Sequence, residues 1–164
     1  MNISQINQCV VWGSSKDCIR KKIQYETAEI LDLNSIDYKQ VLIETLSEKQ
    51  LDKDQLKETH RIEVYSTEYV INDFVAIEAS TGEDQGMPIF GKILNILFTE
   101  NKALLVCKEW PSKYLEDRLN SYCIEEGTDT RLIDADDLAD PKPYAIWKSY
   151  TSDKDYICLR YVLV

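Results

Sequence analysis

The sequence has only one histidine, His60, and it lacks the residue spacings that mark common catalytic or metal sites. No Cys-x-x-Cys pair occurs, so a zinc site of the usual spacing is excluded. There is no Gly-x-Ser-x-Gly turn and no glycine-rich phosphate loop, which removes the common hydrolase, kinase and nucleotide-binding templates. We therefore expect a protein that is not an enzyme and needs no cofactor. A pair of glycosidase carboxylates stays open, because any two acids could converge in space.

Long apolar runs are also missing. No run approaches the ~20 residues that a helix needs to cross a bilayer, and the N-terminus lacks the basic start and apolar stretch of a secretory signal. We expect no membrane association. The five cysteines are an odd number and widely scattered, which favours reduced thiols in a nuclear or cytoplasmic protein. They are Cys9, Cys18, Cys107, Cys123 and Cys158.

Basic side chains are fewer than acidic ones, 19 against 29, so the formal net charge is −10. Residues 1–58 carry 8 basic and 10 acidic side chains, whereas residues 59–164 carry 11 and 19. Nine of the acids fall in residues 116–140, against Arg118 and Arg131 alone. Nucleic-acid affinity rests mainly on phosphate neutralisation by Lys and Arg, so we expect no nucleic-acid partner. A basic protein or peptide fits the sign of this surface; the alternative is that the acidity only maintains solubility.

From residue 60 onward, short apolar runs rich in β-branched and aromatic residues alternate with turn signals. The runs cover residues 73–78, 89–98, 103–107, 143–148 and 155–164. Strands at this spacing are typical of a small, closed or nearly closed antiparallel barrel. We therefore predict a mainly β, SH3-like barrel module over residues 59–164. Within it, Pro111 is expected to end a strand, and residues 113–119 to form a short helix.

Residues 1–58 are predicted to form a helical N-terminal segment, so that the whole chain is α+β. Apolar residues recur near helical spacing over residues 16–33, although basic residues come early there and acids late, against the helix dipole. A second helix, capped by Ser35 or Asp37, would carry Val41, Leu42 and Leu46.

The order of the β elements resembles a bromo-adjacent homology (BAH) module, a chromatin-associated barrel related to SH3-like folds. The resemblance covers about residues 69–164 and rests on local cues in a shared order. These are residues 72–77 (NDFVAI), 90–96 (FGKILNI), 105–111 (LVCKEWP), and 132–140 (LIDADDLAD) followed by 145–148 (AIWK). With residues 156–161 (YICLRY), the same cues are similar to C-terminal modules of transposon-derived animal proteins. The resemblance implies a chromatin or transposon-derived context.

A reader of methylated lysine needs several aromatic faces around the cation, often with one carboxylate. The rings nearest to predicted strand ends and loops are Trp110, Tyr114, Trp147 and Tyr150. Asp134, Asp136 or Asp137 could supply the charge. The alternative is that both tryptophans anchor the core and the tyrosines pack at its edges. Residues 134–140 do not fit a calcium-binding EF-hand loop, because Leu138 and Ala139 stand at ligand and glycine positions, so no metal site is expected.

Two hypotheses follow from the sequence. The first is a non-enzymatic interaction module that binds basic peptides, with a histone tail as its sharpest version. The second is a structural or oligomerisation domain without a peptide pocket, in which the N-terminal third docks onto the barrel or onto a second copy. A more distant third is an acidic inhibitor that mimics nucleic acid.

Overall fold

A computed structural model describes residues 8–11, 20–25, 28–30, 37–79 and 86–158. Within these ranges the chain is mainly β, with one helix, α1, at Lys39–Lys49. The strands before residue 80 are short: β1 Gln8–Val11, β2 Arg20–Tyr25, β3 Glu29–Ile30, β4 Lys57–Thr59, β5 Arg61–Val64, β6 Thr67–Val70 and β7 Phe74–Glu78. Those after it are β8 Ile89–Phe98, β9 Ala103–Glu116, β10 Ser121–Ile124, β11 Thr130–Asp134, β12 Asp140–Tyr144, β13 Ile146–Lys148 and β14 Asp155–Cys158.

The long hairpin of β8 and β9 is the spine of the fold. Nine residue pairs join the two strands, from Ile89 opposite Pro111 to Phe98 opposite Ala103. The turn between them spans residues 99–102, where the Thr99 amide donates to the Lys102 carbonyl at 2.9 Å. Most other strands attach directly or indirectly to this pair, so its two faces organise the described residues.

The main sheet is antiparallel and curls into half a barrel. Its strand order is β12-β7-β8-β9-β10-β14-β13, with β11 also paired to β9 and β4 paired to β8 and β3. A second, four-stranded sheet has the order β1-β2-β5-β6. The mainly β prediction is therefore confirmed at this level.

Side chains alternate along β9 between two buried layers, as the pleat of a strand requires. Leu105 and Cys107 face the second sheet, whereas Leu104 and Val106 face helix α1. A third cluster lies nearer the far end of the hairpin, beneath the curled strands. Its buried members are Phe74, Ala76, Phe90, Tyr122, Ile124, Tyr144 and Ile157.

The predicted helix over residues 16–33 is wrong where the structure describes that stretch. Residues 20–25 are strand β2, which pairs with β1 and β5, and Glu29–Ile30 is strand β3. Pairing with β5 places Ile23 opposite Val64, and both side chains are buried in the core. This tertiary pairing outweighs a helical pattern whose charges already opposed the helix dipole. The pairing also joins strands from both sides of residue 58.

The second predicted helix is confirmed as α1, which buries Leu42 and Leu46 against the main sheet. Of the two predicted caps, Asp37 does not stand at the N-cap position, and Ser35 lies outside the described residues. Tyr38 stands at the N-cap position, and its side chain makes no capping hydrogen bond. Hydrophobic packing of one face therefore holds this helix, as is usual for short helices in proteins. No helix among the described residues is both long and apolar enough to span a membrane.

The predictions around Pro111 are wrong, because β9 continues through this proline to Glu116. At this point the strand acquires β10 as a partner, and the register with β10 shifts between Cys123 and Ile124. Proline lacks an amide hydrogen, and sheets tolerate it at edges and bulges of this kind. The Pro111 carbonyl still accepts from the Glu125 amide at 3.2 Å. The part of the predicted last strand beyond Cys158 lies outside the described residues.

Gly91 lies where the side chains of Ile77 and Cys107 come close to the backbone of β8. A Cβ atom at this position would lie 2.5 Å from Ile77 Cδ1 and 2.8 Å from Cys107 Cβ. Gly91→Ala should therefore overpack the core and lower the free energy of unfolding by about 2 kcal/mol. Urea denaturation measures the change. Leu94→Ala, at a more exposed position on the same strand, should cost less than about 1 kcal/mol; equal losses would contradict the close packing.

Candidate functional site

The structure distributes the seven predicted site residues over separate places. Trp110 lies on β9 and packs edge-on against Phe74, with ring centroids 5.3 Å apart. It borders the cluster beneath the curled strands. Its indole Nε1 is buried without a hydrogen-bond partner among the described residues. Trp110 therefore belongs to the packed interior and does not stand beside the other predicted rings.

Tyr114 and Trp147 lie on the outer face of the curled sheet, at the two ends of one row. The pairings across β9, β10, β14 and β13 place Tyr114, Cys123, Tyr156 and Trp147 side by side. We call these four residues the aromatic row. Trp147 stacks on Tyr156 with centroids 4.6 Å apart and planes 16° apart, and the Tyr156 and Tyr114 hydroxyls are 3.2 Å apart. The sequence patterns missed Tyr156, whose position in the row follows only from strand pairing.

The aromatic row already has a cation of the same chain beside it, the Lys154 ammonium. Lys154 Nζ lies 5.2 Å from the centre of the Tyr114 ring and donates to its hydroxyl at 3.2 Å. The hydrogen bond with Tyr156 is the first cause that raises the pKa of Tyr114, followed by Cys123. Tyr150 stands in the turn after β13, where it is fully exposed. The four predicted rings therefore do not converge on one cage.

The three predicted aspartates follow β11, in a short 3-10 turn at Ala135–Asp137. Asp134 is only 3% exposed, and both of its carboxylate oxygens accept a hydrogen bond. Its carboxylate accepts from the Asp136 amide at 3.0 Å and pairs with Lys102 at 3.1 Å. Asp136 and Asp137 are exposed, and Lys49 lies 3.3 Å from the Asp137 carboxylate. We call residues 134–140 the acidic loop.

The far end of the acidic loop is anchored by a second buried carboxylate. Asp140 accepts hydrogen bonds from the Tyr144 hydroxyl and, at 3.0 Å, from the Lys142 amide. Two buried aspartates, Asp134 and Asp140, therefore hold the backbone of the loop. The exposed carboxylates of Asp136 and Asp137 are presented between these two anchors.

Two tyrosines that the sequence patterns missed lie beside this loop. Tyr65 is in the turn between β5 and β6, at a positive φ of 50°, and is 47% exposed. Burial raises its pKa first, and the negative charges of Asp136 and Asp134 raise it further. Tyr69 is buried, and its hydroxyl donates to the Pro141 carbonyl at 2.6 Å. Burial, with smaller contributions from Asp136 and Asp140, raises the pKa of Tyr69 to about 12.

The chemistry of this arrangement suits the binding of cations. Carboxylates beside an exposed tyrosine ring attract ammonium or guanidinium groups through charge and through the ring quadrupole. In the part of the chain that the structure describes, no three His, Cys, Asp or Glu side chains are grouped so that they could hold a metal ion. No family model matches the chain, and neither curated proteins nor solved structures yield a match. The resemblance to BAH modules therefore stays a prediction.

The contrast between buried and exposed aspartates in one loop can be measured. Asp134→Ala removes both the cap of the turn and the partner of Lys102, so it should lower the free energy of unfolding by about 2 kcal/mol. Asp136→Ala, at an exposed position, should change it by about 0.5 kcal/mol or less. Chemical denaturation of both variants gives the comparison, and an equal cost at the two positions would disprove the anchoring role of Asp134.

Proposed function

We propose that this chain is a non-enzymatic interaction module that binds Lys/Arg-rich peptides at the acidic loop and Tyr65. The observation that carries the proposal is the pair of exposed carboxylates, Asp136 and Asp137, in a turn held by the buried Asp134. The exposed Tyr65 ring lies near enough for Asp136 to raise its pKa. A cationic side chain over that ring would gain the ring quadrupole and the nearby carboxylates together. The net charge of −10 would draw such a peptide in from solution.

The anchoring of the loop supports this proposal. Because Asp134 and Asp140 fix the two ends of the loop, the exposed carboxylates need little ordering when a partner arrives. A preorganised surface loses less entropy on binding than a flexible one. Lys49 competes only in part for Asp137, whose side chain keeps 66% of its exposure.

The acidic loop lies in a stretch with few basic side chains, since residues 116–140 hold nine acids against Arg118 and Arg131. Arg131, one of two basic residues in the acid-rich stretch, pairs with Glu78 and Glu109 and so does not neutralise the loop. Exposed ion pairs contribute about 0.2–1 kcal/mol each and are weakened by salt. We therefore expect modest affinity with a strong dependence on salt concentration, which is typical of a transient contact.

The same proposal covers the fold family, the most specific partner and the cellular location of the protein. The curled antiparallel sheet is compatible with an SH3-like or BAH-like barrel, and a histone tail is the most specific basic partner that this reading suggests. We place the module in the nucleus or cytoplasm, in a chromatin or transposon-derived context. Cys107, Cys123 and Cys158 are free thiols, in keeping with a reducing compartment.

A second candidate function is self-association, which exposed large apolar side chains favour. Several large apolar side chains are exposed near the β9–β10 turn and the aromatic row. They are Leu115, Leu119, Trp147 and Tyr150. Exposed apolar patches often mark interfaces. Sedimentation equilibrium would detect a homo-oligomer, and Trp147→Ser should dissociate it if these side chains form the interface.

The peptide proposal is tested with a fluorescently labelled Lys/Arg-rich peptide and anisotropy titration. The double variant Asp136→Asn/Asp137→Asn should bind about tenfold more weakly, because two exposed contacts of up to about 1 kcal/mol are lost. Raising the salt concentration should weaken the wild type more than the variant.

The matched control is Asp117→Asn/Asp129→Asn, which makes the same change in net charge at two exposed positions outside the acidic loop. It should retain most of the affinity. Equal weakening in both double variants would show that net charge alone attracts the peptide. Absence of binding by the wild type would reject the function itself.

A further inference from the structure

A cavity of about 420 Å³ opens at the turn end of the spine, where the two sheets meet. Its apolar floor consists of Ile23 and Phe98, which are both buried. The Tyr25 ring packs on Phe98 with centroids 4.6 Å apart and planes 38° apart. Cavities of this size, with apolar walls and a few polar groups, are the usual shape of a binding pocket.

The polar rim of the cavity comes from two short turns. Gln55 and Lys57 form one side, and residues 99–101 of the hairpin turn form the other. The hairpin side is held in place because the Thr99 hydroxyl accepts from the amides of Asn101, at 3.3 Å, and Lys102, at 3.2 Å. The rim therefore places polar side chains, among them Gln55 and Asn101, around an opening whose floor is apolar.

The cavity and the acidic loop flank the turn end of the hairpin, since β4 pairs with β8 on one side and β11 pairs with β9 on the other. On the hairpin side, Lys102 follows the rim residue Asn101 and pairs with Asp134 at 3.1 Å. On the sheet side, Ile23 pairs with Val64, and the next residue is Tyr65. Three strand spacings, about 14 Å, separate β4 from β11, so a peptide with one side chain in the cavity would reach the loop through about four extended residues. Glu100 adds a further negative charge at the rim, against the single positive charge of Lys57.

We propose that this cavity receives an aromatic side chain of the basic peptide, and that it sets the sequence preference of the module. This inference rests on the proposed function and adds a specificity determinant to it. The Tyr25–Phe98 pair would pack against an inserted ring in the tilted geometry that aromatic groups favour. The flanking Lys and Arg residues of the peptide would contact Asp136, Asp137 and Glu100. A central aromatic anchor with a charged surround is the common anatomy of a peptide interface.

Two labelled peptides test the inference in one anisotropy assay. Both have the same Lys/Arg-rich sequence, and they differ only in a central tryptophan or alanine. The tryptophan peptide should bind the wild-type chain about tenfold more tightly than the alanine peptide. That preference should disappear in Gln55→Trp, because an indole at this exposed rim position would fill the cavity from within the chain.

The control variant is Gln40→Trp, which makes the same substitution at an exposed glutamine of α1, outside the cavity. It should keep the preference, and thermal melting should show that both variants fold. If the wild type binds both peptides equally, the cavity inference is wrong while the proposed function stands. A preference that survives in Gln55→Trp also overturns it. If neither peptide binds, the function and the inference both fail.

Discussion

The ladder between β8 and β9 is the constraint on which the rest of the structure depends. Its nine pairs form a surface that is buried on both faces, by the second sheet on one side and by α1 and the curled strands on the other. Gly91 leaves room for Ile77 and Cys107, which lie close to its backbone. Each layer packs against this ladder. A shift of one residue in the pairing of β8 with β9 would therefore turn the side chains of the shifted strand towards the wrong layer.

The two ends of this ladder provide two surfaces of different character. At the turn end, Lys102 holds Asp134, so the hairpin fixes both the acidic loop and the cavity beside it. At the other end, β9 extends to carry Tyr114 into the aromatic row, where Lys154 already lies over the ring. The first surface exposes the side chains of Asp136 and Asp137, whereas at the second the Lys154 ammonium already lies over the Tyr114 ring. This difference is why the acidic loop, and not the aromatic row, is the better candidate for a cationic partner.

The strands of the second half could be predicted from the sequence because period-two alternation and turn residues are local signals. The helix predicted at residues 16–33 could not be corrected locally, since the burial of Ile23 depends on its distant partner Val64. The predicted aspartates illustrate the same limit within one loop. Asp134 and Asp136 look alike in sequence, and only Lys102 and the turn geometry make one structural and leave the other exposed. Tyr65 and Tyr25 acquire their places through pairing that no short window contains.

The central claim is that a cationic partner is recognised at the acidic loop beside Tyr65. Titration of an isotope-labelled sample with a Lys/Arg-rich peptide, followed by two-dimensional NMR, tests it most directly. The account predicts that the largest amide shifts fall on Tyr65, Asp136 and Asp137. Shifts confined to Tyr114, Tyr156 and Trp147, or spread evenly over all exposed acids, would contradict it.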